Sequence, residues 1–278
     1  MYVELKTKPI KTSSKKTPNL KKKLTDILSE CFQTKAFSTF PYIKDNLSSK
    51  KSIVKTNSGN CIALSMFIQD KLKRHDVHSC LIPATVPSYI YKDGYLEVCH
   101  VALVVPINES SYYLVDPAFY LMEPILVRMG KSISPVKSID INQNKMVMVT
   151  SELKVNQNKT KLNEYQVFPK KTYYCECCYD NDKEDTWKYY LRELTNPDQS
   201  ITGFFIKIRK DPFFVSTTLV DGMCIKDIVI RMNGDNISIK LEDTVIYDGS
   251  IHQIPNSIKM KMETILRSRG YDKHILSI

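Results

Sequence analysis

Ser58-Gly59-Asn60-Cys61-Ile62-Ala63-Leu64-Ser65-Met66-Phe67-Ile68-Gln69-Asp70-Lys71-Leu72-Lys73 is the stretch on which the reading of this chain turns. After Cys61, apolar residues fall at 64, 67, 68 and 72, the spacing that lines one face of a helix, and a helix over 61–74 is predicted. Ser58, Gly59 and Asn60 supply turn and capping chemistry just ahead of it, which sets Cys61 in the first helical turn. Unpaired N–H groups and the helix dipole favour an anion there, so a thiol at that position is biased toward thiolate.

A free thiol with a pKa of about 8.5 is only slightly ionised at neutral pH, and an adjacent imidazolium completes its activation. His100 opens the run His100-Val101-Ala102-Leu103-Val104-Val105, and Asp116 closes Tyr112-Tyr113-Leu114-Val115-Asp116. Both runs are β-branched, aromatic and apolar, and Pro106 to Ser111 separates them, which predicts an antiparallel hairpin. If 106 pairs with 110, His100 lies directly opposite Asp116, with Cβ atoms about 5 Å apart. The carboxylate would then fix the imidazole tautomer and stabilise its charged form, leaving the other ring nitrogen for the sulfur. Each of the three residues alone has an ordinary structural explanation: a buried cysteine, a core histidine, an Asp-Pro that ends a strand. Their order, with the helix start and the hairpin, points to a catalytic triad of Cys61, His100 and Asp116.

These residues resemble the arylamine N-acetyltransferase family, whose core is grouped with transglutaminase-like and papain-like cysteine folds. His100 to Val105 is similar to the family's His-x-x-Leu-x-Val strand, and Tyr113-Leu114-Val115-Asp116-Pro117-Ala118-Phe119 to its Tyr-Leu-Val-Asp-Val-Gly-Phe. Glu123-Pro124-Ile125, Trp187-Lys188-Tyr189-Tyr190, Asp211-Pro212-Phe213-Phe214 and the segment Ile254 to Leu276 follow in the family's order. The family usually carries Arg-Gly-Gly-x-Cys, with Glu and Asn two and four residues after the cysteine. Here Asn57, Ser58, Gly59 and Asn60 precede Cys61, and Ala63 and Ser65 follow it. The resemblance implies an α+β, cysteine-proteinase-like fold and a ping-pong acetyl transfer from acetyl-CoA, through a thioester on Cys61, to a small-molecule amine acceptor. It also implies that the C-terminal lobe helps form the coenzyme A cleft, with acetyl-CoA as acyl donor rather than a permanently bound cofactor. Two other readings are a transglutaminase-like or protease-like enzyme acting on protein amides, and a scaffold that keeps the fold for binding.

Composition sets outer bounds. The chain has 278 residues, 42% hydrophobic and 25% charged, ordinary for a soluble globular protein. Of the formal charge of +10, residues 1–23 contribute +7, from eight lysines against Glu4. Residues 1–20 read as a basic mobile tail, and no basic, aromatic-studded stripe continues beyond it, so nucleic acid is not an expected partner. Neither a leader nor a membrane span is expected, since the longest apolar stretch, Val101 to Ile107, contains Pro106. Eight irregularly spaced cysteines are unlike a disulfide framework and fit the reducing cytosol. No metal is expected either: Cys175-Glu176-Cys177-Cys178 has no second ligand pair at suitable spacing, and His75 and His78 sit in a charged loop. With eight glycines and no phosphate-binding glycine motif, nucleotide-driven chemistry is not indicated.

Four segments are expected: the tail (1–20), a helical lobe carrying the nucleophile helix (21–78), an antiparallel β-barrel lobe (79–195) and a C-terminal α/β lobe (196–278). Leu20, Leu24, Ile27, Leu28 and Phe32 predict a helix over 20–33, and 34–57 reads as a polar connection. Short runs at 80–83, 95–105, 112–115, 125–127, 146–149, 165–168, 173–178 and 187–191 alternate with turn residues, as in an antiparallel barrel. Asn233-Gly234-Asp235 joins Ile228–Met232 to Asn236–Lys240 as a hairpin. A last helix starts after Pro255 and stops at Gly270.

Overall fold

The structure is a computed structural model. It describes residues 20–91, 95–138, 146–156, 160–161, 167–168, 172–180, 182–194, 197–198, 212–220 and 223–271. Apart from Leu20, the expected tail lies outside the described residues.

Helix α1 (Leu20–Thr34) buries Leu24, Ile27, Leu28, Cys31 and Phe32, the face its spacing predicts. The connection that follows is more ordered than its polarity suggests. It holds strand β1 (Ala36–Ser38), helix α2 (Phe40–Lys44) and helix α3 (Ser49–Thr56), and strand β2 (Ser58–Gly59) follows it. Pro41 stands at the start of α2, and Ser48 caps α3 by accepting from the Lys51 N–H. Elements of five and eight residues carry too few turns to show a periodic face, and neighbours hold them in place. Helix α4 (Cys61–Arg74) covers the predicted span.

The barrel lobe comprises β3 (Cys80–Ala84), β4 (His100–Asn108), β5 (Ser111–Val115), β6 (Ile125–Arg128), β7 (Lys131–Lys137), β8 (Met146–Asn156), the short pair β9 (Thr160–Lys161) and β10 (Val167–Phe168), β11 (Thr172–Tyr179) and β12 (Thr186–Tyr190). Eight of them form one sheet in the order β6-β5-β4-β3-β12-β11-β8-β7, with antiparallel neighbours. Edge strand β6 approaches the opposite edge, β7, and its neighbour β8: the Leu126 N–H donates to Ser134 Oγ on β7, and Ser151 Oγ on β8 donates to the Leu126 carbonyl, which brings the sheet close to a barrel. The run expected over 95–105 becomes strand only at His100. Strand β7 had no sequence signal, because only Ser134 and Val136 of its seven residues are buried.

Strand β4 is apolar without alternation because both its faces are covered. Val101, Leu103 and Val105 join the core built on α1 and α4. Ala102 and Val104 join the barrel interior with Leu114, Phe119, Trp187 and Tyr189. His100 shares parity with Ala102 and Val104, and Asp116 with Leu114, so both belong to the barrel side.

The C-terminal part comprises β13 (Phe213–Val220), β14 (Met223–Asn233), β15 (Asn236–Leu241), β16 (Thr244–Ser250) and helix α5 (Asn256–Ser268). The Asn233–Asn236 turn is where the hairpin was predicted, with Gly234 at φ +57°. Gly270, at φ +74°, follows the end of α5. The sheet is not confined to the last segment, since its order is β16-β15-β14-β13-β1-β2. Phe37 pairs with Val215 on β13 and, in parallel, with Gly59 on β2. The loop in front of Cys61 is therefore the edge strand of the C-terminal sheet.

Candidate active site

Two fixings place Cys61. Behind it, α4 rests on β4 through a bond from Ser65 Oγ to the Val101 carbonyl (3.3 Å), one helical turn from Cys61 and one residue from His100. Ahead of it, Asn60 caps the helix, its Oδ1 accepting from the Ala63 N–H (3.0 Å). That oxygen also accepts from Tyr42 Oη (2.8 Å), whose own oxygen accepts from the Asn60 N–H (3.1 Å). Ser49 Oγ stands 3.2 Å from the same Oδ1 and donates to Asp198 (2.5 Å). Burial pushes the Tyr42 phenol well above its ordinary range, so the ring stays a neutral donor. Asn57, where the resembled family has Arg, takes a left-handed conformation (φ 51°) to end α3, and its Nδ2 donates to the Gly270 carbonyl (2.9 Å).

Gly59 is required by close approach. A Cβ there would lie 2.3 Å from Ala63 Cβ, 3.0 Å from Tyr42 Oη and 3.2 Å from Ser52 Oγ. Gly59→Ala is expected to lower the unfolding free energy by about 1–3 kcal/mol, as overpacking does, and to displace Cys61. A denaturation midpoint equal to that of the unaltered protein would contradict this.

The hairpin differs from the predicted one in register. Leu103 pairs with Val115, Val104 with Leu114, Val105 with Tyr113 and Pro106 with Tyr112. A bulge follows before Asn108 pairs with Ser111, and the Asn108 side chain accepts from the Ser110 N–H (2.9 Å) to close the turn. Pro106 thus continues the strand instead of opening the loop, which moves the pairing two residues from the expected one. A shift of two keeps the same residues on each face, whereas a shift of one would have exchanged them. Asp116 consequently lies diagonal to His100 and not directly opposite, still within reach of a long side chain. His100 Nε2 and Asp116 Oδ2 are 2.7 Å apart, both side chains buried.

All four acceptor positions of the Asp116 carboxylate are aimed. Oδ1 accepts from the Ala118 and Phe119 N–H groups (3.2 and 3.3 Å), where Asp116 caps a single turn of 3-10 helix over Pro117–Phe119. Oδ2 accepts from His100 and from Tyr189 Oη (2.8 Å). The His100 ring stacks on Phe119 with centroids 4.5 Å apart and planes 8° off parallel. Phe119 in turn meets the edge of Trp187 at 5.9 Å. The imidazole is therefore held on one edge and one face, with Cys61 near enough to bear on its charge.

Burial pushes the His100 imidazole toward its neutral form. The Asp116 charge and hydrogen bond, with a smaller contribution from the nearby Cys61, more than offset it, and its pKa rises from 6.5 to about 10. At neutral pH the ring is an imidazolium, beside Asp116 and Cys61. Burial, as the largest cause, pushes two other thiols, Cys80 and Cys99, each up to about 12. The three residues predicted from sequence thus come together in space.

Sequence reasoning missed Tyr189, which is 73 residues from Asp116, and Tyr42, which is 18 from Asn60. Neither carries a local signal, since tyrosines recur along the chain, 16 in all. Tyr189→Phe is expected to remove one hydrogen bond to a buried charge, costing about 1.5–3 kcal/mol of stability. Turnover should fall about tenfold, the rate equivalent of roughly 1.4 kcal/mol. An unchanged melting temperature would contradict it.

Among the described residues, no group of three or more His, Cys, Asp or Glu side chains is arranged to hold a metal. Cys175 and Cys177 face each other inside the barrel at 3.7 Å between sulfurs. No described helix is long and apolar enough to cross a membrane.

No protein-family model and no curated protein sequence matches the chain. Solved structures do. An arylamine N-acetyltransferase from Bacillus cereus, described as having a Cys-His-Glu catalytic triad, aligns at 18% identity over 87% of this chain and 90% of its own, with TM-score 0.55. The Mycobacterium marinum arylamine N-acetyltransferase in complex with CoA aligns at 14% identity over 92% and 90%, with TM-score 0.52. The Mycobacterium tuberculosis arylamine N-acetyltransferase aligns at 12% identity over 91% and 93%, with TM-score 0.51. Identities this low speak to architecture: the chain has the fold of the arylamine N-acetyltransferases.

Proposed function

We propose that this protein is a cysteine-dependent acyltransferase that takes an acetyl group from acetyl-CoA onto Cys61 and hands it to a small amine acceptor. The observation that carries the reading is a buried imidazole, bonded to Asp116 at 2.7 Å and close enough to Cys61, the first residue of α4, for the two to interact. The shared fold, which in one solved relative holds CoA, supports acyl-CoA as the donor.

The steps follow from the groups. The Cys61 thiolate attacks the thioester carbonyl, and the tetrahedral oxyanion collapses with loss of the CoA thiolate, which takes its proton from His100. The neutral imidazole then accepts a proton from the attacking amine, the new C–N bond forms, and Cys61 departs as thiolate beside the restored imidazolium. Asp116 holds the ring through both halves and is not itself consumed. The reading carries with it a reducing compartment, the cytosol, where a free Cys61 thiol persists.

Initial rates measured against acetyl-CoA at several fixed amine concentrations test this. Parallel double-reciprocal lines are expected for a ping-pong exchange. Intersecting lines would contradict it. Cleavage or crosslinking of a glutamine peptide, with no adduct from acetyl-CoA, would move the site to amide chemistry.

A further inference from the structure

We infer that the side-chain amide of Asn60 donates to the oxyanion that forms when Cys61 is acylated, alongside the Cys61 N–H. The inference rests on the acyl-transfer reading and adds a residue to it.

Asn60 is buried, at 1% exposure, directly before the nucleophile. The orientation of its amide follows from its neighbours. Oδ1 faces the Ala63 N–H and the Tyr42 hydroxyl, and a backbone N–H needs an acceptor, so the reversed amide would set donor against donor. The NH₂ group is therefore on the other branch of the same carbon, at the same helix end, and has no hydrogen-bond partner among the described residues. A buried donor left unmade costs about 1–3 kcal/mol. Ser, Thr or Asp would cap α4 without introducing that orphan.

What an orphan donor at this place suits is a charge that exists only during reaction. The Cys61 and Ile62 N–H groups lie in the first turn of a 14-residue helix, where no intrahelical acceptor exists. A tetrahedral carbon on Cys61 Sγ carries its oxyanion close to that turn, and two donors are the usual minimum for such a site. Tyr42 acts one step further out: by bonding both the N–H and the Oδ1 of Asn60, it keeps the amide from rotating.

Two reactions of the same sulfur separate this role from simple positioning. Alkylation by iodoacetamide is substitution at a saturated carbon and forms no oxyanion, whereas acetylation by acetyl-CoA does. In Asn60→Ser, which keeps a capping oxygen, alkylation of Cys61 is expected to stay within about threefold, while acetyl-enzyme formation falls about 10²–10³-fold. Asn60→Asp, nearly isosteric and still an acceptor at Oδ1, should show the same split and guards against a folding failure in the serine variant. Loss of both reactions in parallel would make Asn60 a positioning residue and overturn the inference, as would unimpaired acetylation. If the unaltered protein takes no acetyl group, the acyl-transfer reading itself falls; if it does and the variants match it, only the Asn60 assignment falls.

Discussion

Cys61→Ala is expected to leave a folded protein whose acetyl transfer is reduced about 10⁴–10⁶-fold, the scale seen when a triad nucleophile is removed. The expectation rests on Cys99 and Cys80 being poor substitutes. Cys99, one residue from His100, is buried with its pKa pushed up to about 12, and Cys80 is likewise about 12. A thiol in that state supplies little thiolate at neutral pH. Alanine changes little in packing, since Asn60 still caps α4 and Ser65 still ties it to β4. Retained far-UV circular dichroism with no acetyl transfer above background would bear this out. Transfer within tenfold of the unaltered protein would mean that another group carries the acetyl.

Asp116→Asn has the second largest expected effect, acting on rate and stability together. Replacing the carboxylate leaves the ring oriented but strips its charge partner, and a loss of about 10⁴ in turnover is the scale for an acid-to-amide change in a triad. Removing one partner of a buried ion pair also costs on the order of 3–5 kcal/mol of stability. The pH dependence carries a definite sign. The folded protein keeps its His100 proton up to about pH 10, whereas an unfolded chain releases it near 6.5. Between those values the folded state binds more protons, so the contribution is fully present below about pH 6.5 and is lost as pH rises through about 10. The melting temperature of the unaltered protein is expected to fall from pH 7 to pH 10 more steeply than that of Asp116→Asn. Equal slopes would contradict a raised His100.

What was legible in the sequence was local. Helix α4 followed from apolar spacing and a capping run, and the β14–β15 turn from Asn233-Gly234. Cys61, His100 and Asp116 were readable because each stands at a nameable place: a helix start, a strand start, a strand end. The register of β4 on β5 was not, since nothing in Pro106 to Ser111 announces that Pro106 stays in the strand with a bulge behind it. The His100–Asp116 contact survived because the difference was even. The segment 34–57 hid two short helices and a strand that pairs with the distant β13. Tyr42 and Tyr189 were invisible for a related reason: a phenol's partner is set by the fold.

The most direct measurement is to expose the protein to acetyl-CoA carrying a labelled acetyl group, stop the reaction without an acceptor, and map the label by peptide mass spectrometry. The account predicts one label per chain, on Cys61, as a thioester that hydroxylamine removes and that an added arylamine or hydrazine discharges. Label on a lysine or on Cys99, or no label while the amine is still acetylated, would contradict it.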